Sequence, residues 1–386
     1  MSGSRKLVPL TRNLLLPDAP LLVPVYTLDG TLLAARGIEL TSDQISKLNR
    51  DNPDLYTLQK YLELKSERAG IAERAKKAYH FGNPFDRITK IRDQLIEILS
   101  KPPEKASIGL VLQLARRLQM ICEETPDIAI ASIFIDLPEH YAVQHMLHVA
   151  VLVELSAKGL AWPENERISL VAASLTMNSA MGLLPDELAS QETPLTPEQK
   201  AIILQHPAKS AELLESIGVN DRLWLDSVRY HHESIDGNGY PERLRADEIP
   251  EGASLLHVAD VYCAKVAGRY YRDPIEAPLA AKQVFLSRDK VFKANASEVM
   301  VKLVGLYPPG NQVRLANGDT AVVVKRGERV DTPVVRSITN NKNERFAEPP
   351  LRNSSHPQYT VKEIVYPNVV KWDPKYPSIW GYTSKD

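Results

Sequence analysis

The sequence predicts a mainly α protein: a helical bundle flanked by a small N-terminal β-containing unit and a small C-terminal β unit. Three observations predict it. Apolar residues recur at helical spacing through most of 88–304. Asp29-Gly30 near the start and Asn317-Gly318 near the end each sit between two apolar runs, a strong hairpin signal. The 386 residues are enough for two or three folding units, and 44% hydrophobic with 25% charged residues is the mix of an ordinary globular protein.

The elements follow in order. Residues 1–60 read as the β-containing unit, with a hairpin in PLLVPVYTLDGTLLAARG. A short helix follows over TSDQISKLNRD, capped by Thr41 or Ser42. Residues 61–87 are charged, carry a weak apolar stripe and read as a connector or solvated helix. The helical domain spans 88–304. ITKIRDQLIEILS and IGLVLQLARRLQMICEE are amphipathic, whereas VQHMLHVAVLVELSAKGLA and ERISLVAASLTMNSAMGLL are apolar on most faces and belong at the centre of a bundle. Thr196-Pro197-Glu198-Gln199 is a capping box with proline at the first helical position, so a helix runs from there to about Ile217. ASLLHVADVYCAKVAG is a further helix, with Gly268 at its end. Residues 305–386 hold the second hairpin, a third strand in DTPVVRSIT, and a Pro-, Asn- and aromatic-rich tail that reads as a partly extended arm.

Composition excludes several classes. Forty-seven basic and 48 acidic residues leave a net charge of −1, which argues against a protein that coats DNA or another polyanion. Two cysteines, Cys122 and Cys263, cannot build a disulfide framework. The first residues, MSGSRKLVPLTRN, lack the apolar core of a secretion signal, and no uncharged run approaches the roughly 18 residues of a membrane span. A cytoplasmic protein is expected.

The residues that carry chemistry are histidines. Six of the nine fall within 145–257: His145, His148, His206, His231, His232 and His257. A single histidine on an apolar helix is more often a core residue than a metal ligand. The adjacent pair His231-His232, followed by Glu233 and the turn-rich IDGNGYP, changes that balance. Adjacent side chains diverge by about 100° on a helix and can share one centre only where the helix ends.

HHESIDGNGYPERLRADEIPEGASLLHVADVYCA resembles the signature of the HD-GYP proteins, a branch of the HD-domain metal-dependent phosphohydrolases. The resemblance covers roughly 130–305, and the 307–327 segment, YPPGNQVRLANGDTAVVVKRG, is similar to the β piece that often follows such domains. It implies an HD-type helical bundle that hydrolyses the second messenger cyclic di-GMP with two or three iron or manganese ions. By resemblance the metal ligands are His145, His206, His231, His232 and Asp260. The nucleotide contacts are Arg269 and Arg272, on the phosphates, with Asp236, Gly239, Tyr240 and Pro241 of the signature loop, which also holds Gly237. The same loop is a surface on which family members contact diguanylate cyclase domains, so such domains or other signalling proteins are expected partners beside cyclic di-GMP. His148, His257 and Cys263 are read as structural.

One stretch departs from the family. Where members read roughly AALLHDIGK, this chain reads AASLTMNSA. Thr176 and Met177 stand at the His-Asp pair and Ala180 at the lysine; an acidic ligand position one turn before His145 is Tyr141. A shift of register does not help, because 172–185 holds no His, Asp or Lys. An aspartate bridges two ions with two oxygens and a charge, whereas a thioether is a poor ligand for Mn²⁺ or Fe²⁺. A bridged two-metal centre is therefore not expected, while three imidazoles could still hold one Fe, Mn or Zn ion. The leading expectation is a degenerate member, a pseudoenzyme that binds cyclic di-GMP or partner proteins with little or no hydrolysis. The alternatives are a phosphodiesterase with a rearranged or single-metal site, and a scaffold binding neither ion nor nucleotide.

Overall fold

A computed structural model describes residues 7–10, 15, 21, 24–35, 38, 40–52, 54–58, 82–136, 140–182, 184–267, 274–365, 370–371 and 376–382. Contacts divide the chain at Asn83 into two compact units.

In the first unit, β1 (Leu7–Pro9), β2 (Val25–Tyr26), β3 (Leu32–Ala34) and β4 (Tyr56–Leu58) form an antiparallel sheet in the order β1-β4-β2-β3. The β2–β3 hairpin turns at Asp29-Gly30, with Gly30 at φ +88°. Asp29 Oδ1 accepts the Thr31 N–H at 3.1 Å, which closes the turn. Helix α1 (Ser42–Asp51) begins at Thr41, whose hydroxyl and backbone exchange hydrogen bonds with Gln44 in a complete capping box. Val25, Ala34 and Leu55 are buried in a small core with Leu10, Leu15 and Leu21. The charged connector reading of 61–87 falls mostly outside the described residues.

The second unit is the helical domain with its C-terminal sheet. Its helices are α2 (Pro84–Leu99), α3 (Lys105–Glu124), α4 (Pro126–Ala131), α5 (Tyr141–Gly159), α6 (Glu164–Thr176), α7 (Leu184–Ser190), α8 (Pro197–Ser216), α9 (Arg222–Tyr230), α10 (Glu251–Val266), α11 (Ala277–Leu286) and α12 (Ala294–Val304). Every residue of α5 from Ala142 to Ala157 is buried, as its all-round apolar pattern requires of a central helix. It packs against α3, α6, α10 and α12, and α9 packs on α6, α8 and α10. The α8 capping box forms as expected, with Thr196 and Gln199 bonded reciprocally and Pro197 at the first helical position.

Two expectations change. The run ERISLVAASLTMNSAMGLL is not one helix: α6 stops at Thr176, and a 3₁₀ turn over Ser179–Met181 follows. Ser179 Oγ donates to the Thr176 carbonyl at 2.7 Å, and Gly182 takes φ +57°, so side-chain and glycine chemistry override a run of good apolar spacing. The tail is not simply an extended arm. Strands β6 (Gln312–Leu315), β7 (Thr320–Lys325), β8 (Val334–Thr339), β9 (Leu351–Asn353) and β10 (Val361–Ile364) form an antiparallel sheet in the order β10-β6-β7-β8-β9. A short parallel pair joins β5 (Ile135–Asp136) to β11 (Val370–Lys371). Period-2 alternation buries Val313, Leu315, Val323 and Val335 on one face of the larger sheet. Val322 faces the other way and packs with Phe85, Ile128 and Tyr376. Aromatic residues tie the tail down: Tyr376 donates to Gly310 O at 3.1 Å, Trp380 Nε1 donates to Val324 O at 3.0 Å, and Phe85 meets Trp380 edge-on at 5.2 Å.

A buried ionic cluster fastens α5 to α6 and α3. Arg167 donates to Glu154 Oε1 at 3.0 Å, to Trp162 O at 3.0 Å and to Glu123 at 3.3 Å, and Gln119 Nε2 reaches the other Glu154 oxygen at 3.3 Å. Burial pushes Glu154 up to about 7 against the lowering effect of Arg167 and Gln119. Removing one partner strands a charge, so Arg167→Ala should cost about 3–5 kcal/mol in urea unfolding at neutral pH. Glu154 binds its proton more tightly folded than unfolded. Its contribution is therefore greatest below the ordinary carboxylate range and is lost as pH rises toward 7. Glu154→Gln should flatten that part of the stability–pH curve, and an unchanged curve would contradict this assignment.

Candidate metal centre

The site forms where α8, α9 and α10 converge. His206 is buried in α8, and its Nδ1 donates to Ile203 O at 2.7 Å. His231 is fully buried at the C-terminal end of α9, and its Nδ1 donates to Val228 O at 2.7 Å. A carbonyl oxygen can only accept, so both Nδ1 atoms carry the hydrogen and both Nε2 atoms present lone pairs in the neutral ring. These two Nε2 atoms lie 3.2 Å apart. Both rings favour the neutral form. Burial lowers His206, and burial followed by repulsion from His206 pushes His231 down to about 3. Two lone pairs facing at that distance repel unless a cation lies between them. Two ligands on one tetrahedral ion with metal–nitrogen bonds of about 2.0–2.1 Å would stand about 3.3 Å apart, so the spacing fits.

His232 completes the group. Its ring lies 4.2 Å from that of His231 and 5.1 Å from that of His206, and one ligand atom of each of the three lies within 4.8 Å of the others. The helix ends at Tyr230, which lets two adjacent histidines turn toward one point. Burial, then the neighbouring His231, lowers His232 well below the usual range. The donor set is imidazole nitrogen, suited to zinc or iron, and all three rings favour the unprotonated state that a ligand needs.

His145 and Asp260 lie beside this group. His145, on α5, places Nε2 2.6 Å from Asp260 Oδ1, and Asp260, on α10, places Oδ2 3.9 Å from His232 Nδ1. Burial would raise Asp260, but the His145 hydrogen bond and the other interactions with the neighbouring imidazoles outweigh it and hold the carboxyl well below the carboxylate range. The buried His145 Nδ1 has no hydrogen-bond partner among the described residues. Tyr141 stacks over His145 at 5.8 Å.

Thr176, Met177 and Ala180 are engaged elsewhere. Thr176 is buried; its hydroxyl donates to Ala172 O at 2.7 Å and accepts from Trp224 Nε1 at 2.8 Å. Met177 is fully buried in the main apolar core. The Ala180 N–H donates to Ser210 Oγ at 3.0 Å. None offers an imidazole, a carboxylate or an ammonium.

The loop after His232 is knitted to it. Asp236 Oδ1 accepts from Ser234 Oγ at 2.6 Å and from Asn238 N at 3.0 Å, and its Oδ2 accepts from Asn238 Nδ2 at 2.9 Å; these bonds, Ser234 first, lower its pKa to about 2. Those contacts give Asp236 a turn-building role. At Gly239 a Cβ would fall 2.4 Å from Ser234 N and 2.6 Å from His232 O, so only glycine fits. Tyr240 N donates to His232 O at 3.1 Å, the Tyr240 ring stacks on His232 at 4.7 Å, and the Tyr240-Pro241 peptide is cis. Arg269 and Arg272 lie outside the described residues.

Sequence reasoning passed over three residues. Glu233 is buried, and its carboxylate accepts the N–H groups of Glu242, Arg243 and Leu244 at 2.6, 3.0 and 2.9 Å. An acidic residue directly after the double histidine was its only signal. Trp224, the partner of Thr176, carried none. His257, read as structural, lies 6.4 Å from His232; burial pushes it down to about 4, against the effects of Asp260 and of its hydrogen bond to the Glu233 backbone.

Known proteins share this architecture. A cyclic di-GMP phosphodiesterase of Pseudomonas aeruginosa, PA4108, is 28% identical over 212 residues, covering 55% of this chain and 51% of that protein. PdeB of Borreliella burgdorferi, also a cyclic di-GMP phosphodiesterase, is 20% identical over 241 residues, covering 61% and 62%. The response regulator RpfG of Xanthomonas campestris, a third, is 30% identical over 165 residues, 42% of each chain. The matches thus span about half the length of these relatives. Among solved structures, the HDG"Y"P protein Bd1817 of Bdellovibrio bacteriovorus superimposes with a TM-score of 0.50 at 17% identity, covering 77% of this chain and 99% of that one; it bears on the fold alone. The HD domain family is matched over residues 98–290, half of the sequence, and the chain belongs to that family.

Proposed function

We propose that this chain works in cyclic di-GMP signalling as a one-metal member of its family, binding cyclic di-GMP or a partner signalling protein with little or no hydrolysis. The observation that carries the reading is the placement of Thr176 and Met177. One is committed to Trp224 and Ala172, the other is sealed in the core, so neither can bridge a second ion. Activating water while neutralising a phosphodiester from two sides takes a metal pair.

His206, His231 and His232 would hold the single ion, of zinc or iron type by donor chemistry. When bound, it would supply a Lewis-acidic contact for an anionic phosphate oxygen. Asp260 is negative and stands beside the group, so a phosphate approaching without that cation meets repulsion. The ion is therefore coupled to nucleotide binding in this reading. Arg269 and Arg272, which follow α10, are the proposed guanidinium contacts to the remaining phosphate oxygens. Tyr240 offers a ring face on the same side as His232. The relatives that are cyclic di-GMP phosphodiesterases support the choice of nucleotide. A specific observation keeps hydrolysis as the second reading: Asp260 and His145 still form a proton-bearing pair next to the three imidazoles.

No helix among the described residues is long and apolar enough to cross a membrane. The DGNGYP loop is the proposed contact for diguanylate cyclase domains or similar partners.

Protein loaded anaerobically with Fe²⁺ or Mn²⁺ should leave cyclic di-GMP intact on chromatography while calorimetry reads binding. Arg269→Ala should weaken that binding about tenfold, the worth of one charge-assisted contact of about 1.5 kcal/mol. Linear dinucleotide or GMP that disappears in His231→Ala would establish the hydrolytic reading instead. The combined replacement Thr176→His, Met177→Asp and Ala180→Lys should raise the bound metal above that of the parent chain. Unchanged metal content in a folded variant would show that these are not the ligand positions.

A further inference from the structure

We propose that Glu233 is a positioning residue that holds the metal-binding histidines and the Tyr240 loop in one geometry; this rests on the three-imidazole site above. The observations all concern one short segment. Glu233 follows His231 and His232 directly and is 1% exposed. Its carboxylate makes no ion pair among the described contacts; instead Oε1 accepts from the backbones of Glu242 and Arg243 and Oε2 from that of Leu244. Three charge-assisted backbone bonds satisfy most of the acceptor capacity of a buried carboxylate and close the twelve residues from Glu233 to Leu244 into a loop.

The same knot has further strands. The His232 carbonyl accepts from Tyr240 N, Gly237 N donates to Ser234 O at 2.8 Å, and Gly239 lies so close to residues 232–234 that no side chain fits. Tyr240 is thereby laid on the His232 ring.

Glu233 matters because His231 and His232 leave the end of α9 with no helical hydrogen bonds ahead of them to hold His232. His231 keeps its bond to Val228 O, but among the described residues no side-chain hydrogen bond holds the His232 ring, which meets neighbouring rings, Tyr240 stacked on it, and the 3.9 Å approach of Asp260. The direction of His232 is set by the backbone on its C-terminal side, and that backbone is anchored through Glu233. Loosening the anchor should change the angle at which the third imidazole meets an ion. Outer partners that orient metal ligands are commonly worth 10–100-fold in affinity. Glu233→Gln keeps the size of the side chain but turns one acceptor into an NH₂ group facing backbone N–H donors.

The test is Co²⁺ titration of the full chain, stripped with chelator, read by visible ligand-field absorption. Wild type should show a band that His231→Ala abolishes; its absence would overturn the three-imidazole site itself. Given that band, Glu233→Gln with a native circular-dichroism spectrum should bind Co²⁺ about 10–100-fold more weakly and with a shifted band, because the ligand angle changes. Equal affinity and an identical band would overturn the clamp. A second measurement needs no variant. In wild type, hydrogen exchange at the amides of 242–244 should slow when Co²⁺ is added, because loop and ligands move as one unit. Exchange there that ignores the ion would overturn the inference even if Glu233→Gln fails to fold.

Discussion

Two hydrogen bonds determine what this site can be. The carbonyls of Ile203 and Val228 each take the Nδ1 hydrogen of the histidine three residues later, and this leaves two imidazole lone pairs aimed at each other across 3.2 Å. Burial suppresses the protonated forms that would relieve the repulsion. Such an arrangement is costly for a metal-free core and well suited to a cation, which favours the metal-binding reading over the scaffold one. The rest of the domain serves the arrangement: the capping box starts α8, α9 stops at the double histidine, and buried α5 and α10 bring His145 and Asp260 alongside.

Thr176 and Met177, where the sequence resemblance would place the His-Asp pair, are engaged in packing. Thr176 ties α6 to α9 through the Trp224 indole, and Met177 fills apolar space between helices. A buried methionine contributes shape and dispersion; a buried aspartate there would need a cation to offset its desolvation. In the proposed reading, stability of the helical core and a second ion are therefore alternatives at this position. In the proposed one-metal reading, the His145–Asp260 hydrogen bond occupies two side chains that a second ion would otherwise need.

Much of this was legible in the residues. Asp29-Gly30, Asn317-Gly318 and Thr196-Pro197-Glu198-Gln199 act through local backbone chemistry, and each element appears where that chemistry puts it. The double histidine with its turn-rich sequel was recognisable because only a helix end lets neighbours converge. What could not be read depends on distant partners. The break after Thr176 hides in an apolar run that fits a longer helix. The docking of Tyr376 and Trp380 on Phe85 joins residues almost three hundred positions apart. Glu233 looked like one more acidic residue of a polar loop, since its three bonds go to backbone, which has no sequence signature.

The most direct measurement is the metal content of the purified full chain, by elemental mass spectrometry against protein concentration, for wild type and for His206→Ala, His231→Ala and Asp260→Ala. One ion per chain is expected, lost in either histidine variant and retained in Asp260→Ala. Two ions per chain, or one that survives loss of His206 and His231 but leaves with Asp260, would contradict the three-imidazole centre.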